Sequence, residues 1–396
     1  MIKKLFALMV TMVLCLSACG AAEDTSVTEK ISVAKLNSIT QITGSYDNVD
    51  ISEMKYIPAE AKKLHELSIE YDMGDKKAVV DRFLKSIRSY YNDQSIKEND
   101  MEVYYNVERN DEIIPKSVSP SEYDRNDLWG VWLQYSRSGD GADYYGRFMI
   151  SDMVDIEKKA GVRKIDSICC RPEDLEELKE ETISSTNYDK HDFELLDGEK
   201  IKLQDASDTV EEMVKKNDTY INTNGLTCKT VCADTYKVND KYMLLFSLQP
   251  LYDGIGFDIT GSDMESDDET REFAGDPMQV IMSEKKRFPY ICSFSMTANK
   301  IKETAEYDEI LTPETALKKM SEAVNYKFKA NKMELVYLSE LTDRTAENRD
   351  GSAAYKGVKC QPCWQVTVTK TGLAEYKEIV FDIDAVTGEV ISRHRI

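Results

Sequence analysis

The chain has 396 residues, a formal charge of −21 and 41% hydrophobic residues. So acidic a balance excludes the basic face that nucleic acid or an anionic bilayer would require, and its plain reading is solubility. The length allows two or three domains, each with a core of its own.

Lys3 and Lys4 precede an apolar run from Leu5 to Leu16, which is too short to span about 30 Å of hydrocarbon. Leu16-Ser17-Ala18-Cys19-Gly20 follows. This arrangement resembles the signal peptide of bacterial lipoproteins, which implies cleavage before Cys19 and lipidation of that cysteine. The resemblance places the protein at the outer face of a cell membrane. An ordinary secretory cut after Ala18 is the alternative, and Cys19 directly after Leu-Ser-Ala favours lipidation. Two acyl chains at about 0.8 kcal/mol per buried CH₂ suffice for stable anchoring. Removing residues 1–18 discards Lys3 and Lys4 and takes the charge from −21 to about −23. Residues 19–36 are then expected as a flexible tether, because Ala21 to Lys35 is polar, mixed in charge and without helical period.

Three segments then repeat one order, an amphipathic helix followed by extended strands. The first helix is predicted from about Asp75, with Val80, Phe83, Leu84, Ile87 and Tyr91 on one stripe. Strands are expected at 101–108, 129–136 and 144–150, where aromatic and aliphatic residues are frequent. The second helix is predicted near Asp205, with Ala206, Val210, Met213 and Val214 inward. Strands at 227–236, 242–248, 279–282 and 290–296 follow it. The third helix has Thr312 as N-cap, Pro313 at its first position and Glu314 favouring the dipole. Leu317, Met320, Val324 and Phe328 make its expected apolar face.

In the last strands Trp364, Val366 and Val368 alternate with Gln365, Thr367 and Thr369. Ile379, Phe381 and Ile383 alternate with Val380, Asp382 and Asp384. Such alternation implies one face on a core and one outward. Thr387-Gly388 marks a tight turn between them and the C-terminus. The expected fold class is therefore α+β, tandem modules of antiparallel β-sheet each covered by an amphipathic helix. The modules span 37–155, 156–300 and 301–396. The 22 tyrosines suggest half-exposed sheet faces suited to protein contact.

The stretch from Val380 to Ile391, with Asp384-Ala-Val-Thr-Gly-Glu-Val390 at its turn, resembles the final hairpin of PepSY-type domains. Residues 242–258, the Leu311-Thr-Pro-Glu-Thr-Ala316 helix start and Pro362-Cys-Trp364 are similar to extracytoplasmic regions of YycH/YycI-like regulators and of clostridial lipoproteins. The likeness covers about residues 200–396. It implies a non-catalytic module that touches a protease or a sensor kinase, and it carries over no functional residue. Those regulators use a transmembrane helix, whereas a lipid anchor offers none.

Chemistry is sparsely supplied. His65-Glu66 lacks the second histidine of a zincin helix, and His65, His191 and His394 read as solvated surface residues, with no metal site. Seven cysteines remain in the mature chain besides Cys19, namely Cys169, Cys170, Cys228, Cys232, Cys292, Cys360 and Cys363. An odd number leaves at least one outside any intramolecular disulfide, and pairing stays open. Cys360-Gln-Pro-Cys363 in a strand would point its thiols to opposite faces, unless Pro362 bends the chain. Asp258, Asp263, Glu265, Asp267, Asp268 and Glu269 read as a solvated acidic loop without the spacing of a calcium hand. No catalytic set and no cofactor is expected. The chain reads as a membrane-anchored envelope protein acting on a protein partner. The alternative is a solute- or glycan-binding lipoprotein serving a transporter.

Overall fold

The computed structural model describes residues 29–71, 93–100, 175–217, 225–260, 264–266, 271–275, 277–285, 299–347, 353–370 and 378–395, helical positions 84 and 88, and the backbone of strands between 102 and 172 and at 290–292. Among the described residues no helix is long and apolar enough to cross a membrane.

Strands dominate. A 15-stranded sheet runs in the order 179–184, 227–238, 241–252, 255–257, 328–347, 353–370, 378–384, 390–395 and 265–266. Leu64–Tyr71 joins it by pairing with both Asn299–Tyr307 and Ala353–Lys370. Most pairings are antiparallel, but Val49–Asp50, Lys55–Tyr56 and Ile255–Phe257 run parallel to Phe328–Glu347. A separate 6-stranded sheet holds strands between residues 102 and 172, including Glu102–Arg109, Val131–Ser138 and Tyr144–Asp152.

This overturns the expectation of α+β tandem modules, each a sheet closed by its own helix. Phe328–Glu347 and Ala353–Lys370 have 20 and 18 residues, far more than a three-turn helix can cover. They reach past any one module and collect partners from residues 49 to 384. Period-two alternation identifies a strand but says nothing of which strand pairs with it.

Among the described residues two α-helices pack on this sheet, and both feed one continuous core. Helix α1 (Leu203–Asn217) buries Ala206, Val210 and Val214, with Met213 at the margin. Helix α2 (Pro313–Ala323) begins as its sequence dictates, with the Thr312 hydroxyl accepting from the Thr315 amide at 3.2 Å. It buries Leu317 and Met320, but it ends at Ala323. Phe328 starts the next strand instead of extending the helical face, because Val324 already has extended backbone. The first predicted helix lies largely outside the described residues, where only positions 84 and 88 are seen as helical.

Two-residue turns fix the registers. Asn239 and Asp240 both take positive φ (49° and 64°) between strands Thr227–Val238 and Lys241–Tyr252. Asp253 and Gly254 do the same (46° and 83°) ahead of Ile255–Phe257. Both have the left-handed conformations that suit the twist of a hairpin.

Two local expectations also change. Lys30–Ser32 pairs with Glu309–Leu311, and Val33 and Leu36 are buried, so the chain from Lys30 onward is folded rather than a tether. The last strands are buried on both faces, since Val380, Asp382 and Gln365 are as enclosed as Phe381 and Trp364. Phe273 packs on the face expected to be outward, with Leu338, Cys363 and Ile391. Of the tyrosines, Tyr188, Tyr236 and Tyr337 are core residues. Tyr46, Tyr56, Tyr242, Tyr252 and Tyr307 are half-buried, and Tyr326 is exposed.

Candidate functional site

Two clusters of polar side chains are set into the large sheet. The first is sealed. Arg393, on the last strand, donates from Nε to Asp382 at 2.6 Å and from Nη1 to Asp258 at 2.9 Å. Gln365 bridges both carboxylates, donating at 3.0 Å to Asp258 and 2.9 Å to Asp382. The Thr260 hydroxyl gives Asp258 a further bond at 2.7 Å. Phe273 lies under the guanidinium, 5.0 Å from its carbon to the ring centre. All three charged side chains are essentially without solvent contact.

Two buried carboxylates and one guanidinium leave one negative charge in excess. Burial pushes the Asp258 carboxyl up, but the Arg393 charge and the hydrogen bonds outweigh it and hold that carboxyl below the ordinary range. Burial also pushes Asp382 up, and with the Asp258 charge it prevails over Arg393, so Asp382 titrates above the ordinary range. The cluster binds the segment after Phe257 to the C-terminal hairpin. The cluster is sealed from solvent, and within it Arg393 Nη2 is left without a hydrogen-bond partner.

The raised Asp382 carboxyl has a signed consequence. Its folded form holds a proton to higher pH than its unfolded form, so its contribution to stability falls as pH rises from the unfolded value of about 3.9 through the folded one. Asp382→Asn removes that fall. Urea unfolding across the acid-to-neutral range is expected to show the variant comparing best with the parent above this window and worst in acid. A difference that does not change with pH would contradict the assignment.

The second cluster opens to solvent. His65, from strand Leu64–Tyr71, is 2% exposed, and its Nε2 has no hydrogen-bond partner. That nitrogen lies 3.5 Å from Glu303 Oε1. Asp253 completes a group of three whose ligand atoms are all within 4.8 Å of one another. Each residue is placed by a separate device. The Tyr337 hydroxyl accepts from the His65 backbone amide at 3.3 Å. Asp253 stands on the left-handed turn described above. Glu303 sits at a register shift in the pairing of Asn299–Tyr307, a bulge of the kind that re-aims a side chain. The Tyr252 hydroxyl donates to Glu303 at 2.7 Å, and burial followed by that bond pushes the phenol well up, keeping it a donor. Lys63, paired with Glu306 at 2.9 Å, stands near enough to feel Glu303 and Asp253.

A third feature is a depression of about 460 Å³ lined by residues 44–52 with Lys327 and Phe328. It is shallow and brings together no cluster of ionisable groups comparable to the other two.

The residues singled out in the sequence fall differently. Cys19, Cys169, Cys170, Asp263, Asp267, Asp268 and Glu269 lie outside the described residues. Cys292 ends a short strand, and Cys228 and Cys232 are half-buried on Thr227–Val238. Cys360 and Cys363 are buried thiols that pack in different clusters on opposite faces of their strand, so Pro362 does not bring them together. Burial pushes the Cys360 thiol to about 12 and Cys363 well up, which leaves neither reactive. The acidic loop is not uniformly solvated, because Asp258 is buried and Glu265–Ser266 pairs with Arg393 and His394. His65 is buried and His191 and His394 are half-buried, contrary to the solvated reading.

No family model and no curated protein matches the chain. A solved structure described as that of an uncharacterized protein from Eubacterium rectale ATCC 33656 is similar at a TM-score of 0.44 and 12% identity, covering 88% of this chain and 89% of that one. A likeness that weak says nothing of function.

Proposed function

We propose that this chain is a lipid-anchored extracytoplasmic protein that works without catalysis, through contact with another protein of the cell envelope. The observation that carries the reading is Leu16-Ser17-Ala18-Cys19 behind a charged and apolar leader. The PepSY-like turn at Asp384–Val390 agrees with it, and that turn is structural. The Asp384 carboxylate accepts from the Val386 and Thr387 amides at 2.8 and 2.7 Å, and Gly388 takes φ 79°. The most enclosed charged groups, Asp258, Asp382 and Arg393, bond to one another inside the sheet, as scaffold groups do. Lys179–Ser184, at one end of the large sheet and largely exposed, offers the backbone edge through which sheet proteins add a partner strand.

Detergent phase partitioning and proximity crosslinking in the native membrane test this together. The parent is expected in the detergent phase, with one membrane-embedded protein enriched over an unrelated anchored lipoprotein. Cys19→Ser should move the chain to the aqueous phase and abolish the enrichment. Aqueous partitioning of the parent overturns the anchor, and absence of an enriched partner overturns the contact role. Deleting residues 301–396 is unsuitable as a control, since it removes the centre of the sheet.

A further inference from the structure

We infer that His65, Asp253 and Glu303 form a binding site for a divalent first-row transition ion of the zinc class. The inference is independent of the contact role and rests on three facts of geometry.

First, a neutral imidazole has one N–H and one lone pair, and a buried nitrogen left without a partner costs about 1–3 kcal/mol. His65 Nε2 is such an atom, buried and 3.5 Å from Glu303 Oε1 without a hydrogen bond to it. A cation between the two would satisfy the lone pair and both carboxylates at once.

Second, the donors are nearly in place. Zinc binds nitrogen and oxygen at about 2.0–2.2 Å, which sets neighbouring donors roughly 3.4 Å apart in a tetrahedron. The Nε2–Oε1 separation is 3.5 Å, and no ligand atom of the three lies beyond 4.8 Å from another. The remaining gap is closed by rotation of Asp253, which is exposed. His65 need not move. The fourth position faces solvent and suits a water molecule.

Third, the supporting groups are those that a ligand set needs. Tyr252 orients Glu303 through its hydroxyl, and its ring meets the His65 imidazole edge to face at 6.5 Å. The turn carrying Asp253 passes close to the Glu60 backbone, since a Cβ at Gly254 would come 3.0 Å from the Glu60 carbonyl oxygen. One imidazole among two carboxylates selects against calcium and magnesium, which take oxygen donors, and for ions that accept nitrogen. Lys63 offsets part of the negative charge, but its ammonium is already paired with Glu306.

Zinc and cobalt titrations of the full Cys19→Ser chain, read by competition with a chromophoric chelator and by thermal midpoint, test the site. One equivalent of zinc is expected to bind, to raise the midpoint and to be removed by chelation. Asp253→Asn and Glu303→Gln, both at exposed positions, should each weaken binding about tenfold or more. Glu309→Gln, an exposed carboxylate on the neighbouring strand, should leave it unchanged. The cobalt form should show nitrogen and oxygen ligation without a thiolate charge-transfer band. No saturable binding, equal binding by the two site variants, or a thiolate band would each overturn the inference.

Discussion

Arg393→Met is expected to lower the free energy of unfolding by about 3–5 kcal/mol, the loss that follows when one member of a buried ion cluster is removed. Arg393 is the only positive charge in the cluster it forms with Asp258 and Asp382, and all three are enclosed. Its removal strands two carboxylates in low dielectric, with Gln365 as their shared remaining donor. Both would rise in pKa and take up protons, and the segment after Phe257 would lose its tie to the last strand. Arg393→Lys should recover only part of the loss, because an ammonium cannot present the fork that reaches both partners. Urea unfolding followed by tryptophan fluorescence measures the effect. Cleavage within 258–276 by a dilute protease should accelerate in parallel. A loss under about 1 kcal/mol would mean that the cluster is no better than a surface pair.

The same cluster shows where sequence reading stops. Helix starts and strand runs are local properties, so Thr312-Pro313-Glu314 and the alternation around Trp364 and Phe381 led directly to observed elements. The assembly of those strands is not local. Nothing near Leu64 announces that its strand pairs with residues 299–307 and 357–360. Asp258 and Arg393 are 135 positions apart, and they meet only in the assembled sheet.

One signal was present and carried information. In Leu64–Tyr71, His65 shares its phase with Leu67 and Ile69, both wholly buried. In Val390–Arg395, Arg393 shares its phase with Ile391. A polar residue in step with the apolar face of a strand is a candidate for burial, and hence for a partner. Asp253-Gly254 is likewise a hairpin signal readable from the sequence. Composition pointed the other way, since few histidines and many acids made every single one look like surface.

The second large effect belongs to Trp364. Trp364→Ala is expected to cost about 3–5 kcal/mol, the range for removing a large aromatic side chain from a packed interior. The residue is fully buried at the middle of the sheet, in register with Leu335 on one side and Ile383 on the other. Its indole Nε1 donates to the Leu311 carbonyl at 2.9 Å, just ahead of the N-cap of α2. Its ring lies 6.3 Å from that of Tyr56, from the N-terminal part of the chain. One side chain thus joins the sheet, the helix entry and the early strands. Trp364→Phe separates volume from hydrogen bonding, since it keeps most of the ring contact and leaves Leu311 without this donor. Its expected cost is about 1–3 kcal/mol, read from the same urea midpoints. Should Phe prove as costly as Ala, the bond to Leu311 rather than the packed volume is what fixes α2 on the sheet. A cost near zero for Ala would instead show that the core around Trp364 collapses freely into the space, which two long strands held in register on either side should prevent.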